Sequence, residues 1–241
     1  FPEDNSAEIL SIFIVSAYRR QKIGTALLTF LEQELHTRGC ITVKLFYKTG
    51  KPTSLALERL LESCNWSTPR PWDIVCESDL DTIAKAPWFQ IKFRIPFDMT
   101  IFPWAEITDR ERIVIKQTQE SEPWFDESRN PFRNENNMEP LNSLGLRYKG
   151  LVVGWMLTER MASNTIYYNC MFVRRDLQKL GRGIYLFINA IRLQAKAEIP
   201  KGIWRVNFNN SSMLRFVKKH MIPYTNSLEE VSCSSKLLVD I

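Results

Sequence analysis

The hydrophobic positions fall into two kinds of run. Short apolar stretches bounded by polar turns predict strands, and apolar residues recurring at three- and four-residue spacing predict helices. Strands are predicted at 8–15 (Glu8-Ile-Leu-Ser-Ile-Phe-Ile-Val), 42–47, 88–95, 99–107, 143–148, 151–158, 165–173 and 203–208. The pair 143–148 and 151–158 forms a hairpin across Lys149-Gly150. Leu27, Leu28, Leu31 and Leu35 make one apolar helix face, and Ile184, Phe187, Ile188 and Ile191 make another. Further helices are predicted at 53–63, 211–220 and 108–119, the last opened by a capping box, Thr108-Asp-Arg-Glu111. Residues 120–142, polar and broken by Pro123, Pro131 and Pro140, read as a long loop.

The pattern occurs twice. A strand-like run, a basic loop, an amphipathic helix, a second strand and a second helix occupy residues 8–63, and the same order returns over 167–220. Gly24 and Gly183 align 159 positions apart, and Trp66 and Ile222 close the two copies 156 apart. Each copy is a βαβα unit whose helix faces must pack on a sheet, so the fold class is mixed α/β with parallel pairing inside each unit. The second copy also has a front end of strand, helix, loop and hairpin. A boundary near Pro96 therefore separates a partial N-terminal copy, residues 1–96, from a complete C-terminal copy, residues 97–241.

Composition removes whole classes. With 241 residues, 44% hydrophobic and 24% charged, the chain can bury a real core and is neither disordered nor fibrous. No apolar run approaches the length of a membrane span. The net charge of +5 is spread along the chain, which argues against nucleic acid as partner and suits a small anionic ligand. Five cysteines, an odd number without metal-ligand spacing, point to reduced thiols in a cytoplasmic protein. Two histidines, His36 and His220, cannot build a multi-histidine metal site, and no metal is expected.

A strand that enters a basic, glycine-containing loop and opens a helix can cradle a pyrophosphate, because the first helical turn carries unpaired N–H groups. In the second copy this loop reads Gln178-Lys179-Leu180-Gly181-Arg182-Gly183, and in the first Arg19-Arg20-Gln21-Lys22-Ile23-Gly24. The pattern Gln/Arg-x-x-Gly-x-Gly/Ala between strand and helix resembles motif A of the GCN5-related N-acetyltransferase (GNAT) superfamily. The second copy matches it fully; in the first, Lys22 stands where the first glycine belongs. The resemblance covers nearly the whole chain as two tandem GNAT folds, each a mixed central sheet flanked by helices, the first without its N-terminal strands.

The resemblance implies acyl-coenzyme A, acetyl or longer, as co-substrate. The intact second loop, Gln178–Gly183, would hold its pyrophosphate, with Arg19–Gly24 of the first copy as the other candidate, and the thioester oxygen would meet a backbone N–H near Met171, Phe172 and Val173, or near Ile12–Ile14 in the first copy. The acceptor would be an amine of a small molecule, amino acid or peptide, attacking directly. Its proton would pass to a carboxylate: Glu8, or Glu159 on the strand next to the motif strand. Tyr167 aligns with Glu8, and Tyr168 is a candidate acid toward the leaving thiolate. The family's tyrosine in the last helix is replaced by Leu61 and Val217, so a non-catalytic acyl-coenzyme A sensor or scaffold is the alternative. Trp124-Phe125 is a candidate wall for an acceptor or acyl pocket.

Overall fold

The computed structural model describes residues 4–92, 96–178 and 181–238. The elements in chain order are β1 (Ser6–Ile9), α1 (Ile23–Thr37), β2 (Thr42–Lys48), α2 (Ser54–Ser63), β3 (Arg70–Asp79), α3 (Leu80–Ile83), β4 (Met99–Pro103), α4 (Asp109–Ser121), β5 (Leu144–Tyr148), β6 (Leu151–Ala162), β7 (Thr165–Val173), α5 (Arg182–Lys196), β8 (Lys201–Asn207), α6 (Ser211–Phe216) and β9 (Ser227–Leu237). Two compact units result. One comprises the chain up to Val75 with Val206–Leu214 and the segment from Glu229; the other comprises Cys76–Arg205 and Arg215–Leu228.

In the first unit the strands run in the order β1-β2-β9-β3. β1 and β2 pair in parallel from Ser6–Thr42 to Ile9–Leu45, and β9 lies antiparallel to β2. Leu28 of α1 and Leu61 of α2 pack with Val43 and Leu45 in its core. The apolar face of α1 is narrower than its leucines suggest, for Leu27 is exposed while Glu32 is buried. Burial of Glu32 is tolerable because Lys236 Nζ, at 2.6 Å, and Trp66 Nε1, at 2.8 Å, both donate to its carboxylate.

In the second unit the order is β8-β7-β6-β5-β4. β4, β5, β6 and β7 are successively antiparallel, and β7 pairs with β8 in parallel. Trp104, Trp155, Phe125 and Phe172 form an aromatic cluster beside Ile115 of α4. The helix α5 buries Phe187, Ile188 and Ile191, as its pattern predicts. The capping box is present: Glu111 N donates to Thr108 Oγ1 at 3.2 Å and Thr108 N to Glu111 Oε2 at 2.9 Å. The loop at 120–142 is tied to the sheet, with Trp155 Nε1 donating to Arg129 O at 3.1 Å.

Several sequence expectations change. The predicted strand at 88–95 begins instead as a single 3-10 turn, Pro87–Gln90. There Trp88 is drawn inward, stacking on Phe187 and donating through Nε1 to His220 O at 2.7 Å; residues 93–95 lie outside the described residues. The run at 8–15 is a strand only to Ile9, and the run at 99–107 only to Pro103, where Trp104 turns to donate its backbone N–H to Ser143 O. The helix predicted at 211–220 is α-helical to Phe216 and then widens into a π turn, Val217–Met221. β3 and β9 have no counterpart among the predicted elements.

Candidate active site

The two parallel pairings correspond in register. Ser6–Thr42 of the first unit and Thr165–Lys201 of the second are related by the same 159 positions that separate Gly24 from Gly183. Each pairing also ends at the equivalent place, Ile9–Leu45 and Tyr168–Trp204. Among the described residues, Asn169–Val173 have no register partner on β8, so the strands part there.

A bulge marks the point of parting. Leu157 of β6 faces Cys170, but Thr158 faces Tyr168, leaving Asn169 as an extra residue on β7. Regular alternation would put Tyr168, Cys170 and Phe172 on one face. Instead Tyr168 packs against Phe187 of α5, while Phe172 packs into the aromatic cluster, 4.9 Å from Trp155. Met171 and Val173 now face the start of α5, where a Cβ on Gly183 would lie 3.6 Å from Met171 Sδ. Gly154 lets β6 approach the end of β7, since a Cβ there would meet Phe172 O at 2.7 Å.

The loops that follow are built alike. Gln178 Nε2 donates to Val173 O at 2.8 Å, and Arg19 Nε donates to Ile14 O at 2.9 Å. Each side chain thus clamps its loop to the carbonyl five residues earlier. Gly181 and Lys22 then occupy the same left-handed position before the helix, with φ of 74° and 61°. Neither helix start has a side-chain cap, so its first N–H groups are available to an anion. Around the second loop, Arg182 Nη1 donates to Leu177 O at 3.2 Å, and Arg174 pairs with Asp176 at 2.8 Å. The Arg174 guanidinium holds the Asp176 carboxyl below its ordinary range. Lys179 and Leu180 lie outside the described residues. In the first loop Arg20 also has positive φ, Gln21 Nε2 donates to Ala17 O at 3.3 Å, Ile23 is half-buried and Gly24 is buried against Leu60 and Ile14.

The four proton-transfer candidates separate by placement. Glu8 is exposed on β1, which ends its sheet order. Tyr167 is half-buried and stands opposite Glu159 in the β6–β7 register. Tyr168 is buried and donates to Gln194 Oε1 at 2.5 Å; burial pushes its phenol well above its ordinary range. Glu159 accepts a hydrogen bond from Nδ2 of Asn169, the bulge residue. Leu61 and Val217 are core residues. Asn169 carries no signal in the sequence, because a bulge is a register event with no composition of its own.

Beside the bulge lies a cavity of about 190 Å³, walled by Leu157, Thr158, Glu159, Asn169, Cys170 and the loop at 128–138. Burial pushes the Cys170 thiol up to about 11, so it stays protonated. Trp124 lines a separate groove of about 980 Å³ along α4, and Phe125 belongs to the aromatic cluster. No metal-binding cluster occurs among the described residues, and no described helix is long and apolar enough to cross a membrane.

Residues 1–66 match the sequence profile of the Acetyltransferase (GNAT) family. No curated protein sequence matches the chain. Among solved structures, a GCN5-related N-acetyltransferase from Sphaerobacter thermophilus is 18% identical, over 94% of this chain and 72% of that one, with a TM-score of 0.66. A tandem GNAT protein from the clavulanic acid biosynthesis pathway is 13% identical, over 99% and 77%, with a TM-score of 0.70. A glucosamine N-acetyltransferase region of a fungal multi-domain β-N-acetylglucosaminidase is 12% identical, over 95% and 29%, with a TM-score of 0.65. At such identities the likeness is one of fold: the chain has a mixed α/β sheet flanked by helices that matches GNAT folds, and it resembles that superfamily.

Proposed function

We propose that the protein transfers an acyl group from a coenzyme A thioester to an amine, and that the C-terminal copy, residues 97–241, carries the reaction. The observation that supports this best is the parting of β7 from β8 at Tyr168–Trp204, beside the Asn169 bulge and ahead of the clamped loop at Gln178–Gly183. The cleft leaves room for an extended pantetheine arm, and the uncapped start of α5 suits its pyrophosphate. Within Met171–Val173, the backbone N–H that points away from β6, toward the edge β8 has left, is a held donor for the oxygen that gains charge when the amine attacks the thioester carbon.

Glu159 is the carboxylate best placed to take the amine's proton, because Asn169 holds it at the bulge. The C–N bond forms as the C–S bond breaks, the amine's proton passes to Glu159 or to water, and sulfur leaves as a thiolate. Solvent then protonates the thiolate. Tyr168 keeps its proton and packs the core, and Leu61 and Val217 supply no acid. That last absence favours the second reading, a protein that binds the thioester without turnover.

The test is calorimetry with acetyl, octanoyl and palmitoyl coenzyme A, on wild type and on Gly183→Trp. An indole at Gly183 fills the space beside Met171 and Val173. Binding lost in the variant supports the C-terminal site, and the preferred chain length names the donor. Unchanged binding moves the site to Arg19–Gly24. No binding by wild type ends both readings, and binding without thiol release on adding amines leaves the second.

A further inference from the structure

The cavity beside the bulge has a charge pattern that specifies its occupant. Three charged side chains line it: Arg133, Glu135 and Glu159. Glu135 is already satisfied, since Arg112 Nη1 donates to Oε2 at 2.7 Å and Trp104 Nε1 to Oε1 at 3.3 Å. Glu159 accepts from the neutral amide of Asn169 and has no ion-pair partner among the described residues. The Arg133 guanidinium likewise has no ion pair or hydrogen bond among the described residues. One cavity thus presents one uncompensated negative charge and one uncompensated positive charge, and the two do not neutralise each other.

We infer that the acceptor is a small zwitterion, an amino acid carrying both a free amine and a free carboxylate. Its amine sits at Glu159, next to the bulge and the expected position of the thioester, and its carboxylate pairs with Arg133. The inference rests on the acyl-transfer reading above and narrows its acceptor. Size agrees: about 190 Å³ lies below the roughly 300–1,000 Å³ of sites that enclose drug-sized ligands, which suits the reacting end of a small acceptor. Polarity agrees too, because Ser128, Asn130 and Asn134 are also among the lining residues. The reaction balances as an ammonium and a thioester giving an amide, a free thiol and one proton released through Glu159. Arg133 is a positioning residue for the carboxylate and takes no part in bond making. Arginine suits this role because its planar guanidinium can grip a carboxylate with two parallel hydrogen bonds.

The experiment compares matched acceptors: glycine, alanine and serine against glycinamide, alaninamide and serinamide. Thiol release from the thioester that binds in calorimetry is followed, for wild type, Arg133→Gln and Arg133→Lys. Arg133 is exposed, so its replacement leaves the fold intact. In wild type the free amino acid should exceed its amide at least about tenfold in kcat/KM, chiefly through KM. Arg133→Gln should bring the pair within about threefold, and Arg133→Lys should restore part of the difference. Amides that match or exceed amino acids in wild type, or a ratio that Arg133→Gln leaves unchanged, would overturn the zwitterionic acceptor while leaving acyl transfer standing. Absence of thioester binding would instead remove acyl transfer itself.

Discussion

Replacing Glu111 by Gln tests the electrostatic tie between α4 and the sheet. The Glu111 carboxylate accepts from Arg147 Nε at 2.6 Å and Nη2 at 3.1 Å, and from Thr108 N and Oγ1, both at 2.9 Å. The pair is mostly shielded, with side-chain exposures of 17% for Glu111 and 24% for Arg147. The Arg147 hydrogen bonds lead in lowering the carboxyl from 4.5 to about 2. A shift of that size corresponds to about 3 kcal/mol of stability at neutral pH. The sign follows from the lowered value. The contribution is fully present above the unfolded carboxyl's pKa, near 4.5, and disappears as pH falls toward 2. At pH 7, Glu111→Gln should therefore cost about 2–3 kcal/mol, because the amide keeps part of the cap but leaves Arg147 without its counter-charge over the Phe102 ring. Urea unfolding followed by tryptophan fluorescence should show the midpoint lowered by roughly 1 M, for a slope of about 2–3 kcal/mol per M. Repeated between pH 7 and 2.5, the gap between variant and wild type should narrow progressively below about pH 4.5 and fall under half its neutral value by pH 2.5. A gap that stays constant to pH 2.5 would refute the charge argument and point to lost packing.

Gly154→Ala places a Cβ 2.7 Å from Phe172 O, a backbone atom that cannot swing away; thermal unfolding should show a loss of about 1–3 kcal/mol, with weaker thioester binding. Lys22→Gly relieves a left-handed residue at φ 61° and should stabilise the first unit by about 0.5–1 kcal/mol, read by denaturant unfolding. Burial pushes both Cys76 and Cys170 up to about 11, so iodoacetamide at pH 8 should label them in the native protein far more slowly than in urea.

Elements defined by local pattern are legible in the amino-acid order alone. α1 and α5 follow from helical spacing, the α4 start from Thr108 and Glu111, and the β5–β6 hairpin from Lys149-Gly150. β3 and β9 are not legible in that way, and their residues show why. β9 buries Ser232 and Ser234 beside Val231 and Cys233, so burial does not follow hydrophobicity. Ser234 is tolerated there because its hydroxyl donates to Ser67 O at 2.7 Å, a partner 167 positions away. β3 likewise buries Asp73, whose carboxylate accepts from Asn207 Nδ2 at 2.9 Å.

The recurring pattern, the strand–loop–helix order and the helix faces can be read from amino-acid order alone, because each depends on residues close along the chain. That order also carries the similarity of the two loops, down to the matching positions of Arg19 and Gln178. How those positions are used depends on contacts between distant parts of the chain. The bulge at Asn169 reverses which face β7 presents, so that Tyr168 packs against Phe187 while Phe172 enters the aromatic cluster. It depends on pairing with β6, and a strand's register is set by partners the local sequence does not name. Arg133 and Glu159 line one cavity for a related reason: the polar loop borders the end of β6, and no spacing in the chain records that neighbourhood.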